Sequence, residues 1–189
     1  MIDVKILDLF CGRGGWVQAF PSDWNITGYD IRDFSSIYPF KFVQADLLKY
    51  DDFPSDVDLI VASPPCTDFT KASLPSTWKS VMKYPPDVDQ GIKLFNRARE
   101  IINEVKPKYW LIENVRGAQK YVGKADWHIG SRYFWTNFKF EYLGNGDDVY
   151  GKTEIFPRKD RAELRAMIPY SISYSLYRFL ANEEEVIEK

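Results

Sequence analysis

Cysteine and histidine are scarce in this sequence: its 189 residues include two cysteines and one histidine. Structural zinc sites need several Cys or His ligands at close spacing, so this composition excludes a multi-cysteine zinc site and a histidine-rich cluster. A disulfide framework would need several cysteine pairs in a short secreted chain, and these are also missing. We therefore expect free thiols at Cys11 and Cys66 and no bound metal.

Long apolar runs and a strong net charge are missing as well. No stretch approaches the ~20 apolar residues that a membrane-spanning helix needs, and the N-terminal MIDVKILDLF carries acidic residues that are untypical of a signal peptide. The net charge of −2 provides no overall attraction for nucleic acid, so any such affinity must come from a local patch. We predict no membrane association, and a cytoplasmic protein of a prokaryote or a virus rather than a secreted one.

What the sequence does contain is an alternation of short apolar runs with helical patterns, in a chain long enough for one domain. The patterns predict a polar loop over roughly 67–86, helices starting at 16, 87 and 170, an aromatic hairpin over 130–143, and strands over 4–10, 25–30, 40–46, 56–63 and 108–115. Such alternation is typical of a largely parallel sheet covered on both faces. We predict an α/β fold with a single doubly wound, mostly parallel sheet in one domain, residues 1–189.

The glycine-rich and polar segments all follow predicted strands. FCGRGG, Asp30, Asp46, SPPC and ENV each lie at or directly after the carboxyl end of a strand. In open parallel sheets, ligands bind outside the carboxyl ends of the strands. The shared position of these segments on one rim is the strongest indication of an active site in the sequence.

The segment DLFCGRGG, residues 8–15, predicts a tight turn in which glycines let the backbone approach a ligand closely. It matches neither a P-loop nor the full dinucleotide fingerprint, so a turn without a ligand is the alternative. Asp30 could accept hydrogen bonds from ribose hydroxyls and Asp46 from an adenine amino group, although either could be a helix cap. Together these features outline a pocket for an adenosine-bearing cofactor.

Cys66 follows two prolines at the end of the strand predicted over residues 56–63. Proline restricts its own backbone and that of the preceding residue, so the cysteine is presented from a stiff turn. A thiolate is suited to attack on a soft, activated carbon, and we interpret Cys66 as a nucleophile. The alternative is a small, buried, inert thiol. Cys11 lies inside the glycine turn, where a small residue is needed, and we interpret it as a packing residue.

Glu113 ends the last of the predicted parallel strands. Burial at the edge of an apolar sheet would raise the pKa of this carboxyl group and let it donate to a ring nitrogen near neutral pH. The alternative is a structural acid bonded to backbone amides, and Asn114 would fix the adjacent turn. Arg116 and Arg132 are candidate contacts for phosphate or carboxylate groups. His128 has no acidic or serine partner at a recognisable spacing, and we assign it no role.

Read in order, these segments resemble the DNA cytosine-5 methyltransferase family. DLFCGRGG resembles its first motif, SPPC its catalytic Pro-Cys motif and ENV its glutamate motif. RAMIPYSISYSLYRFL, residues 165–180, is similar to a degraded form of its last motif. The resemblance runs from about residue 6 to residue 180. It implies a Rossmann-like, S-adenosylmethionine-dependent methyltransferase fold and methyl transfer from S-adenosylmethionine to carbon 5 of cytosine in DNA.

The resemblance also implies roles for individual residues. Cys66 would add to carbon 6 of a cytosine flipped out of the duplex, Glu113 would contact ring nitrogen 3, and Arg132 would be a further catalytic residue. Cofactor contacts are implied for Phe10, Cys11, Gly12, Gly14, Gly15, Asp30, Ile31, Asp46, Leu47 and Pro65. Substrate contacts are expected at Lys71, Trp78, Lys79, Asn114 and Arg116.

The sequence departs from the family pattern in three places. The large target-recognition region is absent or vestigial, because the interval of about 133–164 leaves little room for it. The eighth motif normally carries a Gln and paired arginines but supplies only Arg132 here, and Ala166 stands where the last motif usually has an Asn. The loop over 67–86 could hold nucleic acid instead, together with a basic group at Arg158, Lys159, Arg161 and Arg165. A homodimer or a partner subunit could supply target recognition.

The sequence is compatible with three candidate functions. An active cytosine-5 methyltransferase acting on DNA leads, the same chemistry on RNA or on a free pyrimidine nucleotide is second, and a non-catalytic cofactor-binding or DNA-binding subunit is third. Both Cys66 and Glu113 are present. This favours an active enzyme, because a catalytically dead homologue has no chemical need for either residue.

Overall fold

The computed structural model describes residues 4–79, 83, 85–145, 164 and 166–187, except for the side chains of Lys79 and residues 183–187. One sheet contains β1 (Lys5–Leu9), β2 (Asn25–Asp30), β3 (Lys41–Gln44), β4 (Leu59–Ala62), β5 (Tyr109–Val115), β6 (Trp127–Ile129) and β7 (Arg132–Thr136). The helices are α1 (Thr67–Ala72), α2 (Ser76–Lys79), α3 (Val88–Val105), α4 (Gln119–Val122) and α5 (Tyr170–Ile187), and a 3-10 turn at Arg116–Ala118 precedes α4.

The strand order in the sheet is β3-β2-β1-β4-β5-β7-β6. The first five strands of this order run parallel, whereas β7 is antiparallel to both of its neighbours. The chain moves outward from β1 to β3 and then returns to β4 on the other side of β1. The topological switch point therefore lies between β1 and β4, and the carboxyl ends of these two strands define the crevice in which a ligand would bind. This architecture confirms the predicted doubly wound, mostly parallel sheet.

Each face of the sheet has its own core because side chains alternate along the strands. On β1, Ile6 packs with Trp16, Phe134 and residues of α5, whereas Leu7 and Leu9 point to the opposite face and pack with residues of α3. All three β1 residues are fully buried. Burial on both faces explains why the central strands read as continuous apolar runs.

Helix α3 matches its predicted bounds closely. Its first turn is capped by Asp87, whose carboxylate accepts a hydrogen bond from the Gln90 main-chain N–H at 3.0 Å. It ends at Lys106, which adopts a left-handed conformation (φ 54°) before Pro107. Helix α5 likewise begins at Tyr170, directly after Pro169. In the described parts of the chain, no helix combines the length and the apolar character needed to span a bilayer.

Three sequence predictions need correction. Residues 16–20 form successive turns rather than a helix, because Ser173 of α5 hydrogen-bonds both the Trp16 carbonyl (2.6 Å) and the Ala19 N–H (3.1 Å). The predicted loop over 67–86 contains α1 and α2, since burial of Phe69 provides the packing that stabilises α1. The aromatic hairpin lies at residues 127–136, earlier than predicted, and the rings that follow it pack against the core without forming a strand.

Candidate active site

A cavity of about 340 Å³ opens at the switch point between β1 and β4. This volume is in the range of small-molecule sites in proteins. The cavity is lined by the turn after β1, the start of the segment after β2, the segment after β4, the end of β5, the start of β7 and the approach to α5. Of the predicted site residues, it brings together Phe10, Cys11, Gly12, Gly15, Asp30, Ile31, Pro65, Cys66, Glu113 and Arg132.

The three glycines of the turn have different roles. Gly12 lines the cavity with φ of +50°, and a Cβ atom added there would meet no other atom within 4 Å, so the bare backbone faces open space. A Cβ atom on Gly15 would lie 2.6 Å from the main-chain nitrogen of Ile168, and one on Gly14 would lie 2.9 Å from Pro39. Gly12 therefore leaves room for a ligand, whereas Gly14 and Gly15 leave room for neighbouring protein segments.

Asp30 joins the end of β2 to the glycine turn. One carboxylate oxygen accepts the main-chain N–H of Gly12 at 3.0 Å, and the other accepts that of Arg32 at 2.9 Å. Each oxygen keeps a lone pair that can accept a further hydrogen bond. The next residue, Ile31, also lines the cavity and is 62% exposed, which is a high value for a large apolar side chain. The end of β2 thus presents a polar acceptor and an apolar surface to the same space.

Cys66 lies at the N-terminus of α1, in the stiff turn that the two prolines predict. Its carbonyl accepts the Thr70 N–H at 3.0 Å, and the preceding Pro64 carbonyl accepts the side-chain amide of Asn114 at 2.9 Å. The Asn114 side chain therefore fastens the cysteine-bearing turn to β5. The Cys66 side chain lines the cavity and is neither fully buried nor fully exposed.

Glu113 is a buried acid whose side chain is 6% exposed. Its carboxylate accepts a hydrogen bond from the Arg132 guanidinium at 3.2 Å, and the Ser63 hydroxyl lies near it. Burial raises the pKa of Glu113 above its ordinary value, while Arg132 and Ser63 act in the opposite direction. The raised pKa agrees with the direction predicted from the position of Glu113 at the end of an apolar strand.

The Cys66 thiol is affected by the same groups. Its pKa is raised, mainly by burial and then by the negative charge of Glu113, whereas the positive charge of Arg132 lowers it. Burial also raises the pKa of Cys11, which is 7% exposed and packs in the core beneath the turn. Both thiols line the cavity, and Cys66 is the more exposed of the two.

Several predicted site residues lie outside the cavity lining in the described part of the chain: Gly14, Asp46, Leu47, Lys71, Trp78, Asn114 and Arg116. Asn114 is fully buried and hydrogen-bonded at both ends of its amide, so the geometry supports a positioning role instead of the substrate contact that we predicted. The Asp46 carboxylate caps its own turn by accepting the Leu48 N–H at 3.1 Å.

Other members of this group are occupied elsewhere or exposed. Leu47 is buried, and its carbonyl accepts a hydrogen bond from Arg97 of α3. Trp78 of α2 is 65% exposed. The Lys79 side chain and the predicted basic group at Arg158, Lys159, Arg161 and Arg165 lie outside the described residues.

Sequence patterns gave no site role to Trp16, which donates its indole N–H to the Ser63 hydroxyl at 2.9 Å. This contact joins segments that are far apart in sequence, so no local motif predicts it. Ala166, Met167 and Ile168 form one wall of the cavity and lie in the segment 165–180 that resembles the last family motif, although no contact was predicted for Met167 or Ile168 individually. In the described part of the chain, no group of three or more Cys, His, Asp or Glu side chains could hold a metal ion.

Asp8 and Tyr38 form a buried polar pair below the glycine turn. The Tyr38 hydroxyl donates to the Asp8 carboxyl group at 3.1 Å, and the Tyr38 ring lies over Gly28 of β2, where a Cβ atom would be 2.4 Å away. Asp8 is fully buried, and its second oxygen has no hydrogen-bond partner among the described groups. Burial raises the pKa of Asp8 to about 8. Asp8 is therefore mostly protonated at pH 7, and its side chain is part of the buried core.

The raised pKa of Asp8 predicts that folding stability falls with pH. In the unfolded chain Asp8 ionises near its ordinary pKa of 3.8, whereas in the folded chain it stays protonated up to about 8. This acid should therefore cost up to ~1.4 kcal/mol of unfolding free energy per pH unit across that window, with no further loss above it. Asp8→Asn, which mimics the protonated acid, should flatten the pH dependence in urea unfolding between pH 5 and 8. Equal slopes for wild type and Asp8→Asn would contradict the prediction, and the exposed Asp23→Asn serves as control.

Comparison with known proteins agrees with this geometry. The family model described as C-5 cytosine-specific DNA methylase matches residues 4–128, which is more than half of the chain. The chain therefore belongs to the C-5 cytosine-specific DNA methylase family. This membership confirms the resemblance stated from the motifs and the predicted class, a DNA cytosine-5 methyltransferase.

Individual relatives are similar over part of their length. A Frog virus 3 (isolate Goorha) protein named "Probable DNA (cytosine-5)-methyltransferase" is 33% identical over 158 residues, which are 79% of this chain and 67% of the viral protein. The type II methyltransferase M.NgoPII of Neisseria gonorrhoeae is 28% identical over 124 residues, 60% of this chain and 34% of that protein. The methyltransferase EhMeth of Entamoeba histolytica superposes with a TM-score of 0.47 at 17% identity, over 75% of this chain and 56% of the other. The chain thus spans only about a third of the gonococcal relative.

Proposed function

We propose that this protein transfers a methyl group from S-adenosylmethionine to carbon 5 of cytosine in DNA through a covalent adduct with Cys66. The observation that carries the proposal is the convergence of Cys66, Glu113, Arg132 and the glycine turn on one cavity at the switch point of the sheet. Membership of the cytosine-specific DNA methylase family supports the same chemistry and the same base.

The residues of the cavity fit S-adenosylmethionine. Gly12 leaves its backbone open to the cavity, as a closely approaching ligand requires. Asp30 offers carboxylate oxygens to ribose hydroxyls, and Ile31 and Phe10 offer apolar surface to an adenine ring. The cofactor supplies an electrophilic methyl group. Asp46 and Leu47 are not part of the cavity lining, and their contact with the adenine remains a prediction.

The side chains on the other side of the cavity suit attack on a pyrimidine. The Cys66 sulfur adds to carbon 6 of cytosine, which forms an S–C bond and shifts the ring electrons towards carbon 5. Glu113, whose pKa is raised by burial, donates a proton to ring nitrogen 3 and stabilises the negative charge that develops there. Carbon 5 takes the methyl group as the methyl–sulfur bond of the sulfonium breaks, and then passes its own proton to water. The S–C bond breaks, ring nitrogen 3 returns its proton to Glu113, and Cys66 leaves as a thiolate.

Arg132 has two effects in this scheme. Its charge favours the Cys66 thiolate, because it lowers the pKa that burial and Glu113 raise. Its hydrogen bond at 3.2 Å also fixes the orientation of the Glu113 carboxyl group. We therefore retain Arg132 as a catalytic residue of the proposed reaction.

We infer that the nucleic acid is bound around the cavity by the surface that follows Cys66. Lys71 and the exposed ring of Trp78 lie on α1 and α2, directly after the nucleophile, and Arg116 follows Glu113. Cations and exposed aromatic rings favour phosphates and unstacked bases. We further propose one catalytic domain with little target-recognition region of its own, so that sequence selection is low or comes from a homodimer or partner subunit. The viral and bacterial relatives support a cytoplasmic enzyme of a prokaryote or virus.

A transfer assay across substrates tests the proposed function. The protein is incubated with radiolabelled S-adenosylmethionine and, in turn, with duplex DNA, tRNA and dCMP. We expect label in duplex DNA, at carbon 5 of cytosine after nuclease digestion. Label confined to tRNA or to dCMP would overturn the choice of DNA. Cofactor binding without transfer to any substrate would favour a non-catalytic subunit.

A further inference from the structure

Arg132 makes hydrogen bonds to two different parts of the site. One guanidinium nitrogen donates to the Glu113 carboxylate at 3.2 Å and to the Ala166 carbonyl at 3.3 Å, and the other donates to the Met167 carbonyl at 2.9 Å. Its side chain is only 14% exposed. The acid that faces the substrate side and the wall segment Ala166–Ile168 are thus held by the same buried cation.

The wall segment is also fixed tightly to the glycine turn. The Gln18 side-chain amide donates to the Ile168 carbonyl at 2.7 Å and to the Gly15 carbonyl at 2.9 Å. Gly15 has no space for a side chain, because a Cβ atom there would be 2.6 Å from the Ile168 nitrogen. A displacement of the wall segment would therefore move the turn that lines the cofactor side of the cavity.

Glu113 also lies near a group that is bonded to the glycine turn. The Ser63 hydroxyl lowers the pKa of Glu113 and accepts the indole N–H of Trp16, which belongs to the segment directly after Gly15. The carboxyl group is thus hydrogen-bonded through Arg132 to the wall segment and adjoins a hydroxyl that is held by the turn. Both elements line the same cavity.

We propose that Arg132 is, in addition, a positioning residue that fastens the wall segment Ala166–Ile168 to the Glu113 carboxylate, so that cofactor binding and the state of Glu113 are energetically coupled. The inference rests on the proposed function, since it takes the cavity as the S-adenosylmethionine site. Coupling between binding sites is reciprocal. A pyrimidine that engages Glu113 would therefore change cofactor affinity by the same factor by which the cofactor changes pyrimidine affinity.

A double-mutant cycle on cofactor binding tests the coupling without any turnover. The affinity for S-adenosylhomocysteine is measured by titration calorimetry for the wild type, Arg132→Gln, Glu113→Gln and the double variant. This thioether product carries no sulfonium charge that Glu113 could attract directly. We expect each single change to weaken binding about 5- to 10-fold. The double variant should bind S-adenosylhomocysteine no more than about 10-fold more weakly than the wild type, because both changes break the same link.

The pH profile separates coupling from a merely structural role. In the wild type, affinity for S-adenosylhomocysteine should fall as the pH is lowered through the raised pKa of Glu113, because protonation of Glu113 weakens its bond to Arg132. Glu113→Gln should lack this change. The ionisable groups that act on Glu113 and its neighbourhood, Arg132 and the Cys66 thiol, are the same in both proteins. Arg132→Lys, which keeps the charge but reaches fewer acceptors, should bind with intermediate affinity.

Arg99→Gln provides a matched control. Arg99 also donates from its guanidinium to a backbone carbonyl, that of Val122, but it lies on α3 away from the cavity lining. Its replacement should leave affinity unchanged, and thermal unfolding checks that every variant is folded. Multiplicative effects in the double variant, or single variants with wild-type affinity, would overturn the coupling. A wild-type protein that binds no S-adenosylhomocysteine would contradict the proposed function itself, so the two failures are distinct.

Discussion

Replacing the Cys66 sulfur with oxygen should abolish methyl transfer. In Cys66→Ser, we expect the transfer rate to fall by at least ~10³-fold, because a serine hydroxyl is a much weaker nucleophile than a thiolate towards carbon 6 of a pyrimidine. Cofactor affinity should stay within about twofold, since the residues that fit the cofactor lie mainly on the turn after β1 and at the end of β2. The measurements are radiolabel transfer to duplex DNA and calorimetric binding of S-adenosylhomocysteine.

A covalent trap tests the nucleophilic role of Cys66 without a rate measurement. A duplex that contains 5-fluorocytosine should give a protein–DNA adduct with the wild type, because fluorine at carbon 5 prevents the proton loss that releases the thiolate. The adduct should be missing in Cys66→Ser. Cys11→Ser is the matched control, because Cys11 is buried beneath the glycine turn and should be dispensable for the adduct. Undiminished transfer by Cys66→Ser, or an adduct that maps to Cys11, would contradict the covalent mechanism that we propose.

The placement of the site could be predicted from the sequence because it follows from periodicity. Continuous apolar runs define buried parallel strands, and the strands bring their carboxyl ends to one rim. The segments FCGRGG and SPPC each follow a strand and ENV forms the end of β5, so their meeting required no knowledge of long-range contacts. Asp30 and Glu113 were predictable for the same reason, as the acids at the ends of β2 and β5.

The contacts that set the chemistry of the site could not be predicted in this way. The hydrogen bond from Trp16 to Ser63 spans 47 positions, that from Tyr38 to Asp8 spans 30, and that from Arg132 to the Met167 carbonyl spans 35. Each depends on how helices and loops pack on the finished sheet. The turns at residues 16–20 illustrate the same limit, since tertiary bonds from Ser173 replace the helix that local pattern favours.

These long-range contacts decide which residues of a motif face the cavity and which are buried. Asp8 belongs to the same apparent motif as Gly12, yet it is buried against Tyr38 while Gly12 faces the cavity. Asn114 adjoins Glu113 in ENV, yet it fastens the Pro64 carbonyl while Glu113 lines the cavity. A motif therefore specifies a local piece of backbone, and the packing around it decides which side chain meets a ligand.

Glu113→Gln should separate the two effects of this carboxyl group. The amide can still hydrogen-bond to ring nitrogen 3 but cannot deliver a proton, so we expect methyl transfer to fall by about 10²- to 10⁴-fold. The Cys66 thiol should respond in the opposite sense. The negative charge of Glu113 contributes to the raised pKa of Cys66, so its removal should lower that pKa and make the thiol more reactive near neutral pH.

Alkylation of Cys66 by iodoacetamide as a function of pH measures this second effect, with the modified peptide identified by mass spectrometry. In Glu113→Gln, the alkylation profile should shift to lower pH than in the wild type. In Arg132→Gln it should shift to higher pH, because the cation that favours the thiolate is gone. A variant with faster alkylation and slower methyl transfer would show that thiolate formation alone does not limit the reaction. Profiles that coincide in all three proteins would contradict the electrostatic link between β5, β7 and the cysteine turn.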